Sequence, residues 1–202
     1  MSRAERTVTV ETPVGEARAV LTGAGPRLAV WGHGAGGGVG AVDLVAVTNA
    51  LVGAGWTVAR VEQPYRVQGR RAPDRPPKLD LAWISVVETL TKRRRGPLLV
   101  GGRSSGARVA CRTAAAVEAD AVVCLAFPLH PPGKRQSSRV DELALATDRP
   151  LLVLQGDRDP FGTPAEFPPG IEVIGVPGDH SLRHTTPVVE ALVGWLARQA
   201  LT

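Results

Sequence analysis

Two cysteines, one methionine, one tyrosine and three phenylalanines in 202 residues leave this chain poor in side chains that staple or stack. Cys111 and Cys124 both lie inside apolar stretches, where a thiol behaves as a small buried hydrophobe. No disulfide framework is expected, in keeping with a reducing compartment. At 4% aromatic residues, the chain lacks the stacking platform that single-strand nucleic-acid binders combine with basic residues. No window holds the roughly 18 uninterrupted apolar residues of a membrane span. The opening MSRAERTVTVETP carries charge with no apolar run behind it, unlike a secretory signal. A cytoplasmic protein with no membrane partner is expected. The four histidines are not clustered with cysteines or acids at ligand spacing, so no metal site is expected.

What is present is ordinary for a folded protein. The 44% hydrophobic and 21% charged residues exclude disorder and fibrous repeats. The length fits one domain, 1–202, since roughly 100–200 residues is the usual unit, and a chain of this size buries enough surface to fold without staples. Lys and Arg total 24 against 19 acids, a formal charge of +5. Counterion release would let such a charge bind nucleic acid. The excess is modest and is spread as arginine through loops and helix ends, so solvated surface is the expected reading and nucleic acid is not an expected partner.

Short β-branched apolar runs recur at Arg27–Trp31, Trp56–Val61, Pro97–Val100, Ala121–Ala126, Pro150–Gln155 and Ile171–Val176. Apolar throughout, they read as strands of a parallel sheet buried on both faces. Thr7–Thr22 reads instead as an edge hairpin around the Pro13–Gly15 turn. Helical patterns alternate with these runs. Asp80 is expected to cap a helix whose Leu81, Ile84, Val87 and Leu90 share a face, with Lys92–Arg95 in its last turn and Gly96 and Pro97 beyond. Thr186 is expected to cap a final helix with Pro187 in its first position. Val188, Leu192, Trp195 and Leu196 would form its buried stripe. Alternating strands and helices predict an α/β layered fold, a mostly parallel central sheet flanked by helices.

The strongest chemical signal is Gly102-Arg103-Ser104-Ser105-Gly106, which lies between a predicted strand and the small-residue helical stretch Ala107–Ala116. G-x-S-x-G in a strand–turn–helix context is a nucleophile elbow, which holds a serine proud of the sheet. The glycines relieve collisions that side chains would cause in so sharp a turn. A serine needs a base, and the base an orienting acid. In α/β hydrolases the chain order is Ser, then Asp or Glu, then His. Gly156-Asp157-Arg158-Asp159-Pro160 follows one strand and Gly178-Asp179-His180-Ser181 follows the next. Ser104 and His180 are therefore paired here, with Asp159, Asp157 or Asp179 as the acid. Gly32-His33-Gly34-Ala35-Gly36-Gly37-Gly38 follows the first predicted parallel strand, and the Ala35 amide joins that of Ser105 as a candidate oxyanion donor. Gly32, Gly34 and Gly37 also satisfy the dinucleotide fingerprint G-x-G-x-x-G, with Glu62 at the next strand end. That reading leaves the Ser, Asp and His set unexplained, and no cofactor is expected.

The strings HGAGGG at 33–38, QPYR at 63–66, RRAPDRPPKLD at 70–80, GGRSSGARVA at 101–110, FPLHPPGK at 127–134, QGDRDPFGTP at 155–164 and GDHSL at 178–182 together resemble the dienelactone-hydrolase-like α/β hydrolases. The closest subgroup contains the testis-expressed and NSL-complex-subunit-type proteins. The resemblance covers nearly the whole chain and implies an α/β-hydrolase fold. It also implies Ser104 as nucleophile, Asp159 as acid and His180 as base, and it prefers Asp159 over Asp157. The elbow departs from the family's GGKSMGGR at Arg103, Ser105 and Ala107. An ester or related acyl substrate follows from this resemblance, while scaffold subunits among eukaryotic relatives supply the alternative of a non-catalytic binding protein. Only about a dozen residues separate Ala126 from the helix expected near Arg139, too few for a cap domain. The basic loop 66–78, with Arg70 and Arg71, is a candidate selector of anionic substrates. His33, read first as a loop-ordering residue, and His130 complete the candidate substrate contacts.

Overall fold

The computed structural model describes residues 5–92 and 95–199. Eight strands form one sheet: β1 Glu5–Thr12, β2 Gly15–Thr22, β3 Arg27–Gly32, β4 Trp56–Glu62, β5 Leu98–Arg103, β6 Ala121–Leu125, β7 Leu151–Gly156 and β8 Glu172–Val176. Their spatial order is β1-β2-β4-β3-β5-β6-β7-β8. The hairpin β1–β2 joins β4 antiparallel, and every other pairing is parallel. Of the six strands read as apolar throughout, β3 to β7 are buried along most of their length, whereas β8, at the far edge of the sheet with one neighbour only, is exposed or half-buried up to Val176. The edge strand β1 is exposed along most of its length.

Two apolar layers explain this pattern, because successive strand residues point to opposite faces. Val30, Val100, Val122 and Val153 face one core with Trp83. Their neighbours Trp31, Leu99, Val123 and Leu154 face the other with Trp195. The first layer is covered by α3 Pro76–Thr91, α4 Ser105–Thr113 and α5 Val140–Ala144. The second is covered by α1 Val42–Gly53 and α6 Thr185–Arg198, while the short α2 Pro64–Val67 packs beside β2. Cys111 and Cys124 are both buried free thiols, with their sulfurs 3.4 Å apart. Among the described residues no helix is long and apolar enough to cross a membrane.

Two helix registers differ from expectation. Helix α3 starts at Pro76 with Arg75 as its N-cap, so Asp80 caps nothing. Two prolines occupy its first turn, where their missing N–H groups cost nothing. Val87 is buried and Ile84 and Leu90 pack on the core as read, joined by the buried Leu79, Ala82, Trp83 and Val86, whereas Leu81 faces solvent at 49% exposure. Asp80 instead binds Arg112 of α4 at 2.6 Å. Of the basic run expected at its end, Lys92 is the C-cap, and Arg93 and Arg94 lie outside the described residues. Helix α6 starts at Thr185 with His184 as its N-cap, so Pro187 takes the third position; its buried stripe is Val188, Leu192, Trp195 and Leu196 as read.

The β5–α4 junction packs backbone on backbone. A Cβ on Gly106 would lie 2.4 Å from the carbonyl carbon and oxygen of Gly32, and one on Gly102 would lie 2.6 Å from that oxygen. Gly106→Ala must therefore displace β3 or α4. Overpacking costs about 1–3 kcal/mol, and a rigid backbone obstacle puts this case at the upper end. That exceeds the gain of ~1 kcal/mol that alanine brings to a helix. Calorimetry should find Tm lower by several degrees, and an unchanged Tm would show that the junction is not glycine-limited.

Candidate active site

The carboxyl ends of β3, β5, β7 and β8 carry the residues singled out in the sequence, the edge at which ligands bind in open α/β sheets. At the elbow, Ser104 has φ 53° and ψ −111°. A serine rarely adopts such a backbone, and it does so only where its surroundings over-determine it. The Ser104 N–H donates to the Leu125 carbonyl at 2.9 Å, and its carbonyl accepts the Arg108 N–H at 3.3 Å.

His180, four residues past the end of β8, places Nε2 2.9 Å from Ser104 Oγ and Nδ1 2.8 Å from Asp159 Oδ2. A carboxylate only accepts, so Nδ1 carries the proton and, in the neutral ring, Nε2 is free to accept from the serine hydroxyl. Asp159 is 2% exposed. Its Oδ2 also accepts from Gln155 Nε2 at 2.9 Å, and its Oδ1 accepts the Phe161 N–H at 2.8 Å. The Phe161 ring lies 4.2 Å from the His180 ring, centroid to centroid. Of the other acids considered, Asp157 is exposed and Asp179 is engaged by the Ser181 N–H and hydroxyl.

Several residues that hold this group were not picked out by sequence reading. Gln155 is fully buried, and its amide nitrogen faces three acceptors: Asp159, Gly162 O at 2.7 Å and Phe127 O at 3.3 Å. Those acceptors fix which way the amide points, and its Oε1 is left buried without a partner. The available signal was a polar residue in an otherwise apolar strand, one position before the acid loop. Arg103, noticed only as a departure from the family elbow, pairs through Nε with Asp43 at 2.9 Å and donates Nη2 to the His180 carbonyl at 2.8 Å. Burial pushes the Asp43 carboxyl up, and Arg103 opposes that shift.

Ala35 and Ser105 line the same open cleft as Ser104 and His180, a space of about 510 Å³. The Ala35 carbonyl accepts the Tyr65 hydroxyl at 3.0 Å, which anchors the glycine loop. A Cβ on Gly34 would stand 3.6 Å from Ser104 Cβ, so that loop turns toward the elbow. Only residues 126–139 lie between β6 and α5, and among the described residues no cap covers the cleft.

The four candidate substrate contacts are absent from the cleft lining. Arg70 is exposed and forks onto Asp74 at 3.2 and 2.7 Å, and Arg71 is exposed on the same loop. His130 is tied to Pro131 O at 2.9 Å and to Glu166 at 3.2 Å. His33 is buried, with Nδ1 donating to Gly34 O at 2.8 Å and Nε2 accepting the Gln63 N–H at 3.2 Å. It orders the loop.

That pair of bonds requires a neutral His33, and burial holds its imidazole below the usual 6.5. Below pH 6.5 the unfolded chain therefore takes up a proton that the folded chain refuses, and stability falls as the pH falls. A His33→Gln variant should lose stability less steeply over this acid range than wild type, by chemical denaturation at stepped pH. Parallel slopes would overturn the assignment.

A family model for the alpha/beta hydrolase domain matches residues 26–186. No curated protein matches the chain. Among solved structures, it is similar to an α/β serine hydrolase without lid from Xanthomonas campestris, with 21% identity, 98% of this chain and 96% of that one covered, and a TM-score of 0.78. Est1E from Butyrivibrio proteoclasticus shares 18% identity over 97% of this chain and 99% of its own, with a TM-score of 0.76. The Pyrococcus furiosus esterase Pf2001 shares 16% over 97% and 90%, with a TM-score of 0.74. Likeness at these identities concerns the fold, and the family model agrees with it over most of the chain: the protein belongs to the alpha/beta hydrolase domain family.

Proposed function

We propose that this protein is a serine hydrolase that cleaves an ester or related acyl bond of a small molecule through an acyl-enzyme. The observation that carries the reading is the unbroken chain from Ser104 through His180 to Asp159, at 2.9 and 2.8 Å, starting from a serine held in strained backbone. His180 Nε2 takes the hydroxyl proton as Ser104 Oγ attacks the acyl carbon, and Asp159 stabilises the imidazolium. The amides of Ala35 and Ser105 receive the developing oxyanion at the N-terminus of α4, where the helix dipole favours negative charge. His180 then protonates the leaving alkoxide. Water, deprotonated by the same imidazole, releases the acid and restores Ser104. Within the family, the HPPGK, QGDRDPFG and GDHSL strings support placement in the dienelactone-hydrolase-like branch. Similarity to serine hydrolases and esterases supports the activity at the level of reaction type.

Ser104→Ala should abolish fluorophosphonate labelling and reduce p-nitrophenyl ester turnover by roughly 10⁴-fold or more, the scale seen when a triad serine is removed. Undiminished labelling would refute the nucleophile. A wild-type protein inert to labelling and to a broad ester panel would leave the fold as a binding module.

Arg103 and Gln155 act through His180 and Asp159. Gln155→Leu removes a hydrogen bond to a charged group, worth about 1.5–3 kcal/mol, and should lower kcat by roughly tenfold or more with little change in KM. Arg103→Met should do likewise, and Arg103→Lys should recover part of the loss. A KM effect without a kcat effect would deny both residues a positioning role.

A further inference from the structure

Beyond the reacting groups, the cleft wall is cationic. Arg103, Arg108 and Arg139 all line it, and no aspartate or glutamate among the described residues does. The three arginines are held differently. Arg103 is engaged by Asp43 and the His180 carbonyl. Arg108 forks onto Glu142 through Nε at 2.9 Å and Nη2 at 2.5 Å. Arg112, one turn further along α4, shares Glu142 and forks onto Asp80 at 2.9 and 2.6 Å. Two carboxylates thus balance Arg108 and Arg112. Arg139 is the remainder.

Arg139 is the N-cap of α5. Its backbone N–H donates to Leu129 O at 2.7 Å and its Nη1 to Pro128 O at 2.9 Å. No ion pair reaches it among the described residues. Burial, and next the charge of Arg108, hold its guanidinium below the usual value, with Glu142, already shared by Arg108 and Arg112, acting in the opposite sense; arginine keeps its proton throughout the working range. A guanidinium offers five N–H donors in a planar fork that fits a carboxylate bidentately. With one donor engaged, most of that fork remains, beside a second guanidinium and on the wall of the space that Ser104 enters.

We infer that Arg139, seconded by Arg108, binds an anionic group of the substrate, so that the acyl compound accepted is an acid-bearing ester with its carboxylate at Arg139 and its scissile carbonyl at Ser104. This rests on the serine-hydrolase reading. A carboxylate fits better than a phosphate monoester: the local excess is one positive charge, and a phosphate carrying about −1.5 to −2 would stay partly uncompensated. Arg108 stands four residues past Ser104, about 6 Å along the helix axis at 1.5 Å per residue. That spacing to Arg108, the neighbour of Arg139, makes a short aliphatic chain the spacer to test.

The test compares p-nitrophenyl hemiadipate with its uncharged counterpart, the p-nitrophenyl methyl diester of adipic acid, over enzyme-free blanks. Wild type should favour the acid by roughly tenfold or more in kcat/KM, the scale of one charge-assisted contact, with the preference shrinking as salt is raised. Arg139→Gln should bring the ratio close to one, and Arg139→Lys, which keeps the charge without the fork, should give an intermediate ratio. A phosphate-bearing ester preferred over hemiadipate would overturn the choice of carboxylate. Turnover of both esters at equal rates by wild type, or a ratio unmoved by Arg139→Gln, would overturn the inference and leave the hydrolase reading intact. Neither ester turned over, with no fluorophosphonate labelling, would overturn the hydrolase reading and this inference with it.

Discussion

The closeness of β3 to the first turn of α4 governs the site. Gly102 and Gly106 meet Gly32 where a Cβ on either would strike backbone and one on Gly32 would press on Gly106 Cα at 3.0 Å, and this absence of side chains lets the chain turn from strand to helix around one residue. Ser104 then takes φ 53°, at a cost of about 1–3 kcal/mol for a strained non-glycine backbone. The burial of β5 and of Ala107, Val109 and Ala110 on the adjoining helix offsets it. The strain has a direction: it turns the serine into the cleft together with the first amide of α4. On the other side the glycine loop lies close to the elbow: a Cβ at position 34 would be in ordinary contact with Ser104 Cβ at 3.6 Å and would press only on the end of the Arg103 side chain at 3.1 Å.

Two buried acids near the elbow are stabilised in different ways. Asp43 is matched by a guanidinium, whereas Asp159 is held by neutral donors: the Gln155 amide, the Phe161 N–H and the His180 ring. An arginine at Asp159 would compete for the oxygen that His180 needs and would oppose a positive charge on the imidazole. Neutral donors satisfy the carboxylate oxygens and leave the hydrogen bond to the ring intact. The cost is visible in Gln155 Oε1, buried without a partner, a penalty of about 1–3 kcal/mol. Such a penalty makes sense where the amide nitrogen must face Asp159.

The strands β3 to β7 were legible because each is a short apolar run, as strands with both faces covered are; β8, read in the same way, is a half-exposed edge strand. The three proposed reacting residues were legible because glycine-bounded loops at strand ends announce themselves locally. The start of α3 was not, because Leu81 fits the same helical spacing as Ile84, Val87 and Leu90, which do pack on the core, yet it faces solvent; the helix begins four residues before Asp80, at Pro76. Arginine roles were least legible. Arg70 and Arg71 stand in the most basic loop, yet Arg70 is neutralised within it by Asp74. Arg108 and Arg139 look like ordinary surface residues until α4 and α5 pack together. A charge's meaning depends on which carboxylates the fold brings to it, and pairings across three helices leave no trace in spacing.

An uncapped cleft also explains where the site places its order. Water reaches the wall beside Ser104, so electrostatic contacts there are weaker than in a closed, dry pocket. The imidazole must therefore be oriented from behind. Its Nδ1 is fixed by a carboxylate that is 2% exposed, its ring is covered by Phe161, and its backbone carbonyl is tied through Arg103 to Asp43 on α1. Two of these restraints come from the loop after β7 and the third from the β5–α1 contact. The sheet edge and one arginine supply that order, and the hydrogen-bonded row from Ser104 through His180 to Asp159 is part of the folded chain itself.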